Sequence, residues 1–136
     1  MSEPTTFQVT SWEEEEAGSF EEGTRITRVA VTRTYSGHIE GKGTVSYTMF
    51  YRKDGTTAFV GFERIEGSVG GKEGAFVLQH RGTREEGADR SEWFVVPATG
   101  SGELEGLKGS GSYEADEEGM GKVATVLSFD QSRPDP

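Results

Sequence analysis

The sequence predicts an all-β domain, an eight-stranded antiparallel closed barrel around a central cavity. Three observations carry this. The apolar residues are largely aromatic or β-branched and fall in short runs alternating with polar residues, the period of strands that bury one face. Turn signals, most of them containing glycine, recur between those runs. No segment sustains a 3.6-residue apolar period.

The first expected strand is Phe7 to Trp12. The acidic stretch that follows, Glu13 to Glu16 and on to Gly23, reads as a solvated loop. Arg25 to Tyr35 forms the second strand, with Val29, Val31 and Tyr35 alternating against Arg28, Thr32 and Thr34. Thr44 to Tyr51 forms the third, with Val45, Tyr47, Met49 and Tyr51 on one face. Asp54-Gly55 is a hairpin signal, and Thr57 to Glu66 is the fourth strand. Gly70-Gly71-Lys72 turns the chain into the fifth, Gly74 to Thr83. Arg84-Glu85-Glu86-Gly87 turns it into the sixth, Asp89 to Val96, which Pro97 stops. One helical turn is expected within Ser101 to Leu107, followed by strands at Gly109 to Ala115 and Lys122 to Phe129 and a frayed tail from Gln131. Such even spacing suits an up-and-down barrel or a sandwich, and closure into a barrel removes the exposed edges.

At 136 residues the chain fits one domain. Its 20 glycines account for much of the low hydrophobic share of 32%. The net charge of −10 repels phosphate backbones, so neither nucleic acid nor an anionic membrane is an expected partner. There is no long apolar run, no signal-like N-terminus and no cysteine, and the expected location is cytoplasmic. The two histidines, His38 and His80, are not spaced as a metal motif, and no cofactor is expected.

Ile39-Glu40-Gly41, Ile65-Glu66-Gly67 and Leu104-Glu105-Gly106 recur as apolar-acidic-glycine triplets, read as the bulges and bends that a closing barrel needs. A phosphate-cradling loop at Gly67 to Lys72 fails because the first glycine is missing and Glu73 stands where Ser or Thr would bind magnesium.

Alternation places Phe59, Glu63, Ile65, Phe76, Leu78, His80, Trp93 and Val95 on the inner face. Val60, Phe62, Phe94 and Val96 then face outward, where they suit a subunit contact, and a homo-oligomer, a dimer foremost, is expected. Two ionisable groups, Glu63 and His80, thus stand among aromatics. Turns pivoting on Gly55, between Gly71 and Lys72, and between Glu86 and Gly87 would align Tyr47, Glu63, His80 and Trp93 in one row across four strands. Glu63, His80 and Tyr47 are the candidate catalytic residues, because a buried carboxylate beside an imidazole can move protons near neutral pH. Trp93, Tyr51, Phe59, Phe76 and Tyr35 are the candidate ligand-binding residues. The competing reading is a satisfied buried pair within a packed core.

The runs Gly61-Phe62-Glu63-Arg64, Phe76-Val77-Leu78-Gln79-His80 and Gly100-Ser101-Gly102-Glu103-Leu104-Glu105-Gly106-Leu107-Lys108-Gly109 resemble a bacterial family of uncharacterised domains grouped with the allene oxide cyclase-like barrels. The resemblance extends from Phe7 to Phe129. It implies an eight-stranded antiparallel barrel with a central cavity, related to plant allene oxide cyclases, dirigent proteins and bacterial cyclases of polyketide-type products. It brings no assigned reaction, and no cyclase's catalytic residues map onto this chain.

The expected function is binding of a small apolar molecule in the cavity, with a cofactor-free isomerase or cyclase of an apolar or polyketide-like substrate as its catalytic form. The alternatives are a non-catalytic carrier of an apolar ligand and a structural or interaction protein with a filled barrel. A pocket of about 300 Å³ or more separates the binding readings from the last.

Overall fold

The computed structural model describes residues 4–129. The tail expected from Gln131 lies outside them. Eight strands follow in chain order: β1 (Thr5–Gly18), β2 (Arg25–Ser36), β3 (Ile39–Tyr51), β4 (Thr57–Val69), β5 (Lys72–Glu85), β6 (Ala88–Val95), β7 (Leu107–Ala115) and β8 (Met120–Phe129). A single 3₁₀ turn, Gly102–Leu104, is the helical content of the described residues. Each strand pairs antiparallel with the next. Pairs running from Thr5↔Val123 to Gln8↔Met120 join β1 to β8 and close the strands into a ring.

The hairpins obey the twist rule. At Gly70-Gly71 both residues have positive φ (57° and 86°), as do Glu86-Gly87 (52° and 80°). Two-residue turns of this kind match the right-handed twist of the strands they join. The β3–β4 turn is one residue longer. Arg52 N–H donates to the Thr56 carbonyl, and Gly55 ends the loop at φ 90°. The ladder runs unbroken through the glycines of the first two triplets, so no bulge forms there, but both have positive φ. Gly41 (φ 141°) lies opposite Gly67 (φ 157°), so close that a Cβ on either would strike the facing backbone.

The acidic stretch departs from expectation. Glu13 to Glu16 belong to β1 and pair with Ala30 to Thr27 of β2, with their side chains in solvent. A strand needs a partner backbone more than it needs apolar side chains, and β2 supplies one. A bulge between Val9 and Ser11 shifts the alternation, so that Glu14 comes to share a side with Thr27 and Tyr51. β3, β4 and β5 also begin or end several residues beyond the expected limits, because ladder pairing carries through their glycines.

Inward residues pack into two clusters. The smaller holds Val29, Val31, Val45, Tyr47, Met49 and Phe59. The larger includes Phe7, Tyr35, Ile65, Phe76, Trp93, Leu104 and Tyr113. Leu104, fully buried on the 3₁₀ turn, plugs one end of the ring. The loop carrying it also satisfies the stretch of β5 that β6 is too short to pair. Ser101 N–H donates to the Ala75 carbonyl at 2.9 Å, and Val77 N–H donates to Thr99 Oγ1 at 3.1 Å. At the opposite end the β1–β8 pairing stops at Gln8↔Met120, and an opening remains between β1 and the turns that follow β5 and β7.

Candidate functional site

The interior row differs from the expected one. Strand pairing runs Tyr47↔Gly61↔His80↔Trp93, while Glu63 faces Val45 on one side and Leu78 on the other. The β3–β4 turn centres on Asp54 rather than Gly55, and the β4–β5 turn between Gly70 and Gly71 rather than one residue later. Moving a turn centre by one residue moves every partner by two, which preserves the face and changes the neighbour. The third turn centres between Glu86 and Gly87 as expected.

Glu63 and His80 nevertheless meet on the diagonal. Glu63 is wholly buried and His80 almost so. His80 Nε2 lies 2.7 Å from Glu63 Oε1, and the Tyr35 hydroxyl donates to Glu63 Oε2 at 2.7 Å. The room for this carboxylate comes from Gly43, where a Cβ would overlap Oε2 and lie 3.0 Å from the Tyr35 ring.

The group that organises the site is Arg33, 2% exposed. Its Nη1 stands 3.7 Å from Glu63 Oε1 and donates to the Tyr35 hydroxyl at 3.4 Å. Its Nη2 donates to the hydroxyls of Tyr47 and, at 3.2 Å, Tyr113. Those two hydroxyls lie 2.7 Å apart. The guanidinium carbon sits 4.3 Å from the centre of the Phe7 ring and 4.8 Å from that of Tyr113. Tyr35 and Tyr113 belong to the larger cluster and Tyr47 to the smaller, so this polar knot joins the two cores.

Burial and charge set the protonation states. Burial raises the Glu63 pKa most strongly, but the Arg33 charge and the hydrogen bonds from His80 and Tyr35 outweigh it, and the group stays below the usual carboxylate value. Burial lowers His80 and Glu63 offsets this in part, leaving it below an ordinary histidine. Burial works against the Arg33 charge, yet Glu63 and the surrounding tyrosines hold its pKa well above the usual value. Burial pushes the Tyr35 and Tyr47 hydroxyls well up. The knot is therefore an Arg33–Glu63 ion pair bound to a neutral imidazole and to the protonated phenols of Tyr35 and Tyr47. His80 then donates through Nε2, and its Nδ1 accepts, with Ser91 Oγ 3.3 Å away.

A pocket of 550 Å³ opens at the unplugged end and reaches this knot. Phe7, Val9, Arg33, Tyr113 and Ala115 line its interior, and Trp12, Arg84, Asp89 and the β7–β8 turn form its rim. The rim is tied together by Arg84 Nε–Asp89 Oδ1 at 2.6 Å and by Val9 N–H donating to the Gly119 carbonyl at 2.9 Å. A larger concavity, 730 Å³, lies on the outer surface of the ring, where Phe50, Val60, Arg81 and Glu92 border it.

The sequence-derived candidates fall in four places. Glu63, His80, Tyr47 and Tyr35 are brought together in the knot. Phe59 and Trp93 pack beside it: the Phe59 ring meets Tyr47 edge-on at 4.9 Å, and Trp93 is cross-strand neighbour to His80. Phe76 packs away from the knot, opposite Ile65 in the larger cluster. Tyr51 is half-buried near the ring's end, bonded to Glu14 and stacked by Arg25. None of the three candidate catalytic residues lines the 550 Å³ pocket; Arg33 and Tyr113 do.

Pattern carries only part of the signal for these two. Arg33 shares the parity of Val29, Val31 and Tyr35, so alternation alone marks it inward. The general preference of arginine for solvent argues the other way and is overruled here by Glu63. Tyr113 lies on a glycine-rich strand and 80 residues from Arg33, and ring closure alone brings them together. Among the described residues no cluster of three or more His, Asp or Glu could hold a metal ion, and no helix is long and apolar enough to cross a membrane.

A family profile described as "Protein of unknown function (DUF3224)" matches residues 4–126. No curated protein matches the chain. Among solved structures, the chain is similar to a protein of unknown function of the DUF3224 family from Shewanella oneidensis MR-1. The two share 25% identity and a TM-score of 0.72, over 94% of this chain and 98% of that one.

Proposed function

This chain belongs to the DUF3224 family of unknown function, and on that premise we propose that it is a small-molecule-binding β-barrel. Its site is the pocket above Arg33. The observation that carries the reading is Arg33, one half of a buried ion pair with Glu63, in the lining of a 550 Å³ pocket whose walls also include Phe7, Val9 and Ala115. That volume falls within the range of small-molecule sites, and a few convergent polar groups in an apolar wall are their usual composition. The ring of eight consecutive antiparallel strands supports an allene oxide cyclase-like architecture as part of the same proposal.

Binding is favoured over turnover by the placement of the acid–base pair. Glu63 and His80 stand behind Arg33, and they act as positioning residues that hold the guanidinium beneath the ligand. A cofactor-free isomerase or cyclase on this scaffold would use the groups that face the pocket, Arg33 and Tyr113. The outward residues Phe50, Val60, Phe62 and Phe94, 37% to 54% exposed, support pairing with a second copy of the chain.

Native mass spectrometry tests the binding reading. After incubation with an organic extract of cells, the chain is expected to carry an adduct that is displaced on unfolding. A bare chain mass from every extract, together with failure to bind apolar aromatic probes, would overturn it.

A further inference from the structure

The 730 Å³ concavity on the outside of the ring has no part in holding an interior ligand. Two cross-strand rows line it. One runs Ile26↔Phe50↔Ala58↔Thr83↔Arg90 from β2 to β6, and the next carries Val60, Arg81 and Glu92. Phe50 and Val60 give it exposed apolar surface, 37% and 52%. Its charges are three arginines, Arg52, Arg81 and Arg90, against Glu92 and Glu114. Arg81 and Glu92 bond to each other at 3.2 Å, while Arg52 and Arg90 have no carboxylate partner among the described residues. The hollow is thus locally cationic in a chain of net charge −10.

Its complement stands beside it. Phe20, in the loop between β1 and β2, is 71% exposed and is followed by Glu21 and Glu22. The loop is preformed: Thr24 N–H donates to the Glu21 carbonyl at 3.0 Å, and Glu21 N–H donates to Thr24 Oγ1 at 3.1 Å. A preformed loop loses little freedom on docking. Lys53 holds Glu21 at 3.5 Å, next in sequence to Arg52, so the loop lies at the end of the hollow without filling it. Two chains of charge −10 repel, and a contact between them needs locally opposite charges. In a two-fold contact, residue i of one copy meets j of the other and j meets i. A knob and a hollow that neighbour each other on one face can therefore engage twice about one axis. We propose that Phe20 of one copy seats in the outer concavity of a second, against Phe50 and Val60, with Glu21 and Glu22 facing Arg52 and Arg90, and that the exchange is reciprocal. This rests on the pairing of two copies proposed above and names the contact that makes it.

Sedimentation equilibrium of the full chain measures the dimer dissociation constant. The side chains to be replaced are exposed, so the fold tolerates their loss. Phe20→Ala is expected to weaken the dimer about 30-fold or more, the effect of removing an aromatic anchor from an interface. Reversing the loop charges (Glu21→Arg with Glu22→Arg) and reversing the hollow charges (Arg52→Glu with Arg90→Glu) are each expected to give monomers. Mixed in equal amounts, these two double variants are expected to form a heterodimer, because both reciprocal contacts regain opposite charges. A dimer that Phe20→Ala leaves as tight as the wild type, but that Phe62→Lys separates, overturns the Phe20 contact and leaves the pairing of two copies intact. A mixture that stays monomeric overturns the pairing of Glu21 and Glu22 with Arg52 and Arg90. A wild-type chain that stays monomeric at high concentration overturns both the contact and the pairing.

Discussion

Neutralising Glu63 should expose how much of the interior depends on one charge. Glu63→Gln keeps the side chain's shape inside the space left by Gly43. It removes the counter-ion of Arg33, 3.7 Å away, and turns the 2.7 Å bond to His80 from charge-assisted to neutral. Arg33 is 2% exposed, so little of its charge is hydrated where it stands. Breaking a buried pair by removing one partner costs about 3–5 kcal/mol, because the other charge is left uncompensated. With a urea m-value of about 2 kcal/mol/M, the unfolding midpoint should fall by about 2 M. Trp93, 3% exposed, reports the transition by fluorescence. The second half of the test is the double variant Arg33→Met/Glu63→Gln, which removes both charges. It should be less destabilised than the sum of the single variants by about 2 kcal/mol or more. The same Glu63→Gln protein should show a lower His80 pKa by NMR, since the Glu63 bond and charge are what support the imidazolium. A single-variant cost under about 1 kcal/mol, or additivity within about 0.5 kcal/mol, would falsify the buried-pair argument. An unchanged His80 pKa would show the two groups to be uncoupled.

Acid should weaken the fold in two stages. The folded pKa values of His80 and Glu63 both lie below their ordinary values of 6.5 and 4.5, so the unfolded chain binds more protons and stability rises with pH. The His80 contribution is present above pH 6.5 and is lost as pH falls toward its folded pKa; that of Glu63 is lost below 4.5. Urea midpoints from pH 8 to 4 check this, and a midpoint that rises on acidification would refute it. Gly43→Ala should lower stability by about 1–3 kcal/mol by displacing the Glu63 carboxylate, whereas Gly18→Ala, with open space around it, should not. Equal melting temperatures for the two variants would remove the steric argument. Light scattering of the native chain should give the mass of two copies, and Phe62→Lys should shift it to one; a wild-type protein that stays monomeric at high concentration counts against the outer contact.

The strand parity of β2, β4, β5 and β6 is legible in the sequence because it is a local property. Successive side chains point to opposite faces, and burying one face imposes a period of two wherever the chain is extended. That is why Phe59, Glu63, Ile65, Phe76, Leu78, His80, Trp93 and Val95 face inward as alternation implies, and why the eight strands can be read from runs between glycine turns. Turn chemistry contains more of the register than a count of glycines reveals. A two-residue turn with both φ values positive centres between Gly70 and Gly71, and a three-residue loop ending at Gly55 centres on Asp54, which together place Gly61 where Glu63 was expected. The site itself was decided by closure. Arg33 on β2 and Tyr113 on β7 meet across the ring at 3.2 Å, and no period along either strand encodes a contact between faces that are not neighbours. The strand status of Glu13 to Glu16 was likewise decided by β2, which offered its backbone to residues with no apolar reason to pair. Alternation says which side of the sheet a residue occupies; only the curvature and closure of the sheet determine which inward residues share a point in space.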